Sequence, residues 1–529
     1  MNQQKPAGLF HNKIPSIFSS ASLHDPALWG IALVQILMNG FFLSKRTLWV
    51  DEAYSALLAR RSIAEIHHAL RYDAGPPLYY DLLHIWRICF GDSEWALRSM
   101  SLLMAVLTTL VVYLTARRCW NRRAGLFAAC FAAFTPLSTA YALEARNYTL
   151  FAALSLAFGA SLIRFMNKGE KRTLIACSFF ALALAYVHNM GWFIGLAGAV
   201  SALLFLRGRK RWIALLAGGI AVILFYLPWV PTLLAQMDNT NRTIDWVRNF
   251  WSPWAIVNSF SSFIPGGYTL AYLQLPAFPI EIQAVNALFF IIVFLLSLAS
   301  MVREQDRCAA VFFMLLLGGV LGPYWYSLLI TPIYLAGRTD YGVFPFLCLM
   351  MGFGLSRLNW RYIRTAFLFL FLLQAGVVNG IFLLQDDPFS ERGGILYLQR
   401  HAEPGDVILC TGLTRPPFEY ALRSKDLLFL SYPRDMENHL AHLSESWYYK
   451  NLDLMEEAEA VLRNAMQKTP PDSTLWVLYS RRKINEPLYD LIDSGRLGSA
   501  AASISVPNLG LRKLSEPLFL FRVIPNRRT

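Results

Sequence analysis

TLIACSFFALALAYVHNMGWFIGLAGAVSALLFL, residues 173–206, decides how often this chain crosses a bilayer. As a single helix at about 1.5 Å per residue it would run about 50 Å, too long for one crossing of a hydrocarbon core about 30 Å thick and tight for two. The flanking charges resolve the ambiguity. Arg164, Lys168, Lys171 and Arg172 precede the stretch and Arg207, Arg209, Lys210 and Arg211 follow it. Clusters of this kind stay on the cytoplasmic side, so the chain must cross out and back, with His188-Asn189 at the outer turn.

The same measure applied outward gives a polytopic α-helical membrane protein of about eleven transmembrane helices, the first over 27–44 and the last over 363–384. Composition agrees: 55% of the residues are hydrophobic and 16% charged, against roughly 25% charged in a soluble domain. No cleavable leader pattern precedes Leu28 to Leu43, so that segment reads as a retained first span. Lys5 and Lys13, then Arg117, Arg118, Arg122 and Arg123, the two clusters above, Arg303 and Arg307, and Arg357, Arg361 and Arg364 occupy alternate loops. This pattern puts the N-terminus in the cytoplasm, and an odd number of spans puts the C-terminus outside. The net charge of +13 is therefore a topology signal facing membrane lipids, not a nucleic-acid footprint. Seven cysteines without CxxC spacing indicate neither a metal knuckle nor a disulfide framework.

Residues 1–384 thus form the membrane part, with a long first outer loop over 45–96, and residues 385–529 differ in kind. There, helix-patterned runs at Glu391 to His401 and Leu452 to Lys468 alternate with short apolar runs at Val407 to Cys410, Leu427 to Leu430, Leu475 to Tyr479 and Leu518 to Val523. Such alternation suggests a small α/β domain on the outer face.

Trp49-Val50-Asp51-Glu52-Ala53-Tyr54 lies just beyond the first span. Two adjacent carboxylates at a membrane surface can supply a general base to a lipid-borne substrate, and Asp51 and Glu52 are the candidate catalytic residues. The plainer alternative makes Asp51 the cap of a helix over Ala53 to Arg61. Asp73-Ala74-Gly75-Pro76-Pro77-Leu78-Tyr79-Tyr80 fixes a turn that presents Asp73 and leads Tyr79 and His84 into a helix. Leu78, Leu82, Ile85, Trp86 and Cys89 make an apolar stripe on that helix, suited to the membrane interface. Glu144-Ala145-Arg146-Asn147-Tyr148 joins two spans with almost no linker, and Arg338 of Gly337-Arg338-Thr339-Asp340 opens another from outside. Ionisable groups at that depth are paired or functional, and a guanidinium there can hold a lipid phosphate at two points. Asp73, Tyr79, His84, Glu144, Arg146, Tyr148 and Arg338 are accordingly the candidate substrate-binding residues. His67, His68 and His84 lack the spacing of a metal site, and the adjacent pair diverges on a helix. No metal ligands are assigned; the residues allow an assisting divalent cation without requiring one.

With Leu48 to Glu52, Gly75 to His84, Glu144 to Tyr148 and the outer Arg338 in that order, the chain resembles the membrane glycosyltransferases of the protein mannosyltransferase and aminoarabinose transferase type, the GT-C fold. The likeness covers about 1–384, and the tail from Ser390-Glu391-Arg392 through Pro404-Gly405-Asp406-Val407 is similar to the periplasmic domain of bacterial members. The resemblance implies a bacterial inner-membrane enzyme whose donor is a sugar on a polyprenyl phosphate and whose acceptor is a lipid, glycan or protein. It also implies a catalytic Asp at position 51. This chain departs from the family in having Gly75 before the Pro-Pro pair. A lipid or sugar transporter or flippase is the competing class, but it predicts coupled charges at the bilayer midplane, whereas these acids cluster near the outer surface.

Overall fold

The structure, a computed structural model, describes residues 24–238, 245–270, 273–387, 391–434, 452–480, 482–494, 498–505 and 518–525. Lys5, Lys13 and Ser390 lie outside the described residues. The chain divides into two compact units: Met1–Leu43, Arg98–Val230 and Phe250–Leu384 in the first, and Ser44–Leu97, Pro231–Asn249 and Gln385–Thr529 in the second.

The first unit is built from apolar helices. Among the described residues six helices are long and apolar enough to cross a membrane: Glu94–Cys119, Tyr148–Lys168, Arg209–Met237, Ile280–Glu304, Arg307–Leu329 and Arg361–Leu384. Pro26–Gly40 and Gly191–Phe205 are shorter apolar helices, and Lys171–Val187 completes the out-and-back pair expected over 173–206. Residues 124–143, apolar and long enough for one of the eleven expected spans, are instead two helices, Arg122–Phe134 and Pro136–Ala142, bent by 57°. The cause is local. A residue before proline is driven out of the helical region, and Thr135 is extended, with its hydroxyl donating to the Phe131 carbonyl at 2.7 Å.

Helix Phe344–Arg357 is the centre of this unit. Every residue from Phe344 to Leu355 is buried, and the helix packs on Arg122–Phe134, Ile280–Glu304 and Arg307–Leu329. Close approach needs small residues at the crossings, because between helices in lipid it is fit, rather than exclusion of water, that drives association. Gly352 lies against Ala124 and Ala128, and Gly354 against the Val293 carbonyl and Ser297. At the periphery Ile213, Leu216, Ile220, Leu288, Ile291 and Leu295 are exposed, an apolar surface of the kind lipid covers. Before the first helix, Asp25 caps Pro26–Gly40 and accepts from Arg122 Nε at 2.6 Å and Nη2 at 2.9 Å, and from the Tyr113 hydroxyl. The Arg122 guanidinium holds the Asp25 carboxyl well below the usual carboxylate range.

In the second unit a five-stranded sheet has the order β2-β1-β3-β5-β4, with β1 Val407–Thr411, β2 Leu428–Tyr432, β3 Leu475–Ser480, β4 Gly498–Ser505 and β5 Leu518–Pro525. β1 pairs in parallel with β2 and β3, and β5 runs antiparallel to β3 and β4. Strands covered on both faces read as continuous apolar runs, as VILCT and LWVLYS do. Val407, Leu409, Leu475 and Val477 meet Ala458, Val461, Leu462 and Ala465 of helix Leu454–Lys468 on one face. Ile408, Cys410, Trp476 and Leu478 meet Ile395 and Leu398 of helix Glu391–His401 on the other. Asp406 fastens the start of β1 to β3, accepting from the Thr474 amide at 2.7 Å and Trp476 Nε1 at 2.8 Å. The 44–97 stretch is tied to the same unit: the Thr47 amide and hydroxyl donate to Asp387 at 2.8 and 2.7 Å, and Arg423 Nη2 donates to the Asp92 carbonyl at 2.8 Å.

A Cβ at Gly354 would lie 2.3 Å from the Val293 carbonyl oxygen, whereas one at Gly376 meets nothing within 4 Å. Gly354→Leu should therefore destabilise the purified protein by at least the ~1–3 kcal/mol typical of overpacking, while Gly376→Ala should not. Thermal unfolding in detergent checks this; equal melting temperatures for the two variants would contradict the packing described.

Candidate active site

The acidic residues belong to the second unit. Helix Val50–Leu58 is capped at Trp49, with Asp51 and Glu52 in its first turn. The alternative that made Asp51 itself the cap is thus corrected: the cap lies two residues earlier, and both acids face the partial positive charge of the helix N-terminus. Asp51 is half-buried and Glu52 buried. The Ser55 hydroxyl donates to the Asp51 carbonyl at 2.8 Å, and the helix packs on Arg415–Ala421.

Tyr54 lies one turn beyond Asp51, on the same helical face, and its ring meets Tyr80 edge-on at 6.3 Å. The Tyr80 hydroxyl reaches Asp73 at 3.5 Å, and the Ala74 amide donates to the other Asp73 oxygen at 2.7 Å. The helix that carries Asp51 thus meets, through Tyr54, the tyrosine that bonds Asp73. Gln236 fixes the loop that carries Asp73, donating to the Leu70 and Gly75 carbonyls at 2.7 and 3.0 Å. Helix Leu78–Phe90 starts after Pro77, as expected, and buries Tyr79, Tyr80 and Leu83. Leu82, Ile85 and Cys89 of the apolar stripe are exposed. His84 Nδ1 lies 2.9 Å from the Ala59 carbonyl, which receives Arg87 Nε as well, so His84 closes the C-terminal end of the acid-bearing helix. His67 pairs instead with Asp81 at 3.0 Å, and among the described residues no three His, Cys, Asp or Glu side chains converge as a metal site.

The cationic residues belong to the helical unit, where three inter-helix segments converge. Between Ala142 and Tyr148 the chain makes a tight turn, with the Arg146 amide donating to the Glu144 carbonyl at 2.8 Å and Glu144 buried. Asn147 Nδ2 donates to the Val187 carbonyl at 3.0 Å, drawing in the turn that contains His188. The Tyr141 hydroxyl donates to the Gly337 carbonyl at 2.6 Å, drawing in the third segment, and Gly337 permits this with φ of 75°. Arg338 is buried, its guanidinium 5.7 Å from the centre of the Tyr148 ring, a cation–π contact. Glu144, Arg146, Tyr148 and Arg338 are thus brought to one end of the apolar helices.

Two further features carry no obvious sequence signal. The first is His188. Its ring stacks on Phe151 at 4.8 Å, and burial, then the Arg146 and Arg338 guanidiniums, push its pKa down to about 3. A polar residue inside a long apolar stretch was the only hint. The second is a buried relay. Tyr334 donates to Asp340 at 2.8 Å and lies 2.6 Å from the Ser259 hydroxyl. Burial raises the Asp340 carboxyl to about 6, the bonds from Ser259 and Tyr334 opposing the rise.

A carboxyl raised in the folded state binds its proton more tightly there than in the unfolded chain. Asp340 should therefore favour folding fully below about pH 4 and lose that contribution as pH rises through about 6. Asp340→Asn keeps an acceptor for Tyr334 and removes the titration, so thermal stability measured from pH 4 to 8 should flatten; an unchanged slope would exclude Asp340 as its source.

The family described as dolichyl-phosphate-mannose-protein mannosyltransferase matches residues 74–230, which include Tyr79, His84, Glu144, Arg146 and Tyr148. The undecaprenyl phosphate-alpha-4-amino-4-deoxy-L-arabinose arabinosyl transferase of Pseudomonas aeruginosa is 25% identical over 231 residues, 41% of this chain and 42% of that protein, so the chain spans less than half the length of this relative. In fold the likeness is far longer. The crystal structure of ArnT from Cupriavidus metallidurans in the apo state covers 95% of this chain and 98% of its own, with a TM-score of 0.62 at 14% identity. The same protein bound to undecaprenyl phosphate covers 94% and 97%, with a TM-score of 0.60 at 13% identity. In sequence over residues 74–230 and in fold over nearly its whole length, the chain is similar to the protein mannosyltransferases and the aminoarabinose transferases.

Proposed function

We propose that the protein is an integral-membrane glycosyltransferase that moves a hexosyl or pentosyl group from a polyprenyl-phosphate donor to an extracytoplasmic lipid, glycan or protein, with inversion at the anomeric carbon. The observation that carries this reading is the gathering of Arg146, Arg338 and Tyr148 where apolar helices end, a cationic seat suited to a phosphate on a lipid tail. The arabinosyl transferase named for undecaprenyl phosphate and the fold relative bound to undecaprenyl phosphate support it. A transporter would need charges at the bilayer midplane, and these arginines lie in inter-helix segments.

Roles follow from chemistry. Asp51 is the general base: it takes the proton of the acceptor hydroxyl as that oxygen bonds to the anomeric carbon and the carbon–oxygen bond to phosphate breaks. Polyprenyl phosphate leaves with the electron pair, and Arg338 with Arg146 stabilises its charge, so no strong general acid is required. Glu52 supports Asp51, Glu144 and Tyr148 orient the arginines, and Asp73, Tyr79 and His84 shape the acceptor side. On this reading residues 1–384 are the membrane catalytic domain and 385–529 a periplasmic α/β domain. The eleven spans run through the bent pair and the shorter apolar helices as well as the long ones.

Asp51→Asn should lower turnover by roughly 10²-fold or more in a purified transfer assay with polyprenyl-phosphate sugar, with donor binding retained, and Glu52→Gln should be milder. Near-normal turnover in Asp51→Asn would end the assignment. Orientation has its own check: a periplasm-active reporter fused after Thr529 should be active and one after Arg122 silent, and the reverse outcome would invert the topology.

A further inference from the structure

His188 has no part in the roles above, yet it lies within the cationic segment cluster. It sits in a three-residue turn between helices Lys171–Val187 and Gly191–Phe205. Three contacts fix it there. Asn147 holds the preceding carbonyl of Val187 at 3.0 Å, from the same segment that carries Arg146. The ring is stacked on Phe151 with an 18° interplanar angle, and Phe151 is one turn beyond Tyr148, the residue under Arg338. Phe151 also fills the space at Gly342, where a Cβ would come within 2.3 Å of its ring, so the segment following Arg338 closes on the same group.

The fourth contact sets the ring's protonation. The Met190 amide donates to His188 Nδ1 at 3.1 Å, so Nδ1 is an acceptor and the proton of a neutral imidazole sits on Nε2. An imidazolium would have to break that bond, and with burial and two guanidiniums against it the ring is held uncharged at neutral pH. One nitrogen is turned to the main chain and one face is covered by Phe151, so the remaining polar function is the Nε2–H edge.

We infer that His188 is a phosphate-binding residue: its Nε2–H donates to a phosphate oxygen of the polyprenyl-phosphate donor, beside the charged contacts of Arg146 and Arg338. This rests on the polyprenyl-phosphate reading above. A neutral donor suits the site because it adds direction to phosphate recognition without a third positive charge. Too strong a cationic seat would hold the released polyprenyl phosphate as tightly as the reacting donor, and binding that is equal in both states does not accelerate turnover.

The test uses the purified full chain and two substitutions. His188→Gln keeps an N–H at the reach of Nε2, and His188→Phe keeps the stack on Phe151 and removes the donor. Undecaprenyl phosphate, undecaprenol and inorganic phosphate are titrated against each by tryptophan fluorescence, with thermal unfolding as the folding control. Should the Phe variant not fold, His188→Met, as long as Gln but without a donor, replaces it. The expected result is undecaprenyl phosphate binding at least about tenfold weaker in His188→Phe, within about threefold of wild type in His188→Gln, and undecaprenol binding unaffected by either. Wild-type affinity in His188→Phe, or equal losses in the two variants, overturns the inference while leaving the function intact. Absence of undecaprenyl phosphate binding in the wild type overturns the polyprenyl-phosphate reading itself, and variant-sensitive binding of inorganic phosphate alone overturns the lipid as its source.

Discussion

In hydrocarbon every peptide group must find its partner within the protein, and the helical unit is arranged around the few places where its helices cannot supply one. At each break a side chain substitutes for the missing backbone bond. Thr135 reaches the Phe131 carbonyl at the bend, and Asn147 reaches Val187 across two segments. Ser327 accepts the Ile333 and Tyr334 amides at 3.0 Å each, and Thr339 accepts the Leu335 amide at 2.9 Å. Tyr141 ties the Gly337 carbonyl to a helix distant in sequence. These bonds, with the Tyr148 ring under Arg338 and the Phe151 ring under His188, hold together the segments bearing Arg146, His188 and Arg338.

The same segments are where charge is tolerated. A guanidinium buried without compensation is costly, and Arg338 is given an aromatic face in Tyr148, whose own ring is flanked by Tyr141 at 4.5 Å. Tyr341 continues that aromatic group, 4.6 Å from Tyr141 and stacked on Phe344. Irregular backbone, aromatic support and cationic side chains therefore coincide because each makes the others affordable in an apolar setting. In the second unit the requirement is different. There the parallel strands bury both faces, and a helix N-terminus, an edge-on pair of tyrosines and Gln236 surround the carboxylates.

Much of this was legible in the chain. The basic clusters around 173–206 identified two helices and the turn between them, Pro76-Pro77 marked the start of Leu78–Phe90, and the runs VILCT and LWVLYS marked β1 and β3. Each of those signals is local. β4, GSAAASIS, was not legible because Ile504 is its one β-branched residue and it has no aromatic, so that its pairing with β5 defines it. The bend at Thr135 was hidden by the continuous hydrophobicity on either side of Pro136. Trp49 as the cap was obscured because its side chain makes no cap bond and the two acids beside it are the usual markers of a helix start. Of the candidate site, the types of residue could be read, but not the partnerships. Tyr80 with Asp73, Gln236 with Gly75 and Asn147 with Val187 join residues that share no spacing rule.

The distribution of chemistry has a physical reason beyond convenience. Displacing a phosphate from a sugar needs charge stabilisation on the leaving group and proton removal from the acceptor, and the two demands call for opposite environments. Cations that grip a lipid phosphate act most strongly where apolar helices exclude water, since a low local dielectric strengthens every such contact. A carboxylate base in the same surroundings would pair with the arginines and be lost to catalysis. Asp51, Glu52 and Asp73 belong to the second unit, on helix Val50–Leu58 and the loop before helix Leu78–Phe90, while Arg146 and Arg338 belong to the helical one. On the proposed reading the base and the phosphate seat are carried by different units, and a neutral His188 can sit among the arginines without either repelling or neutralising them.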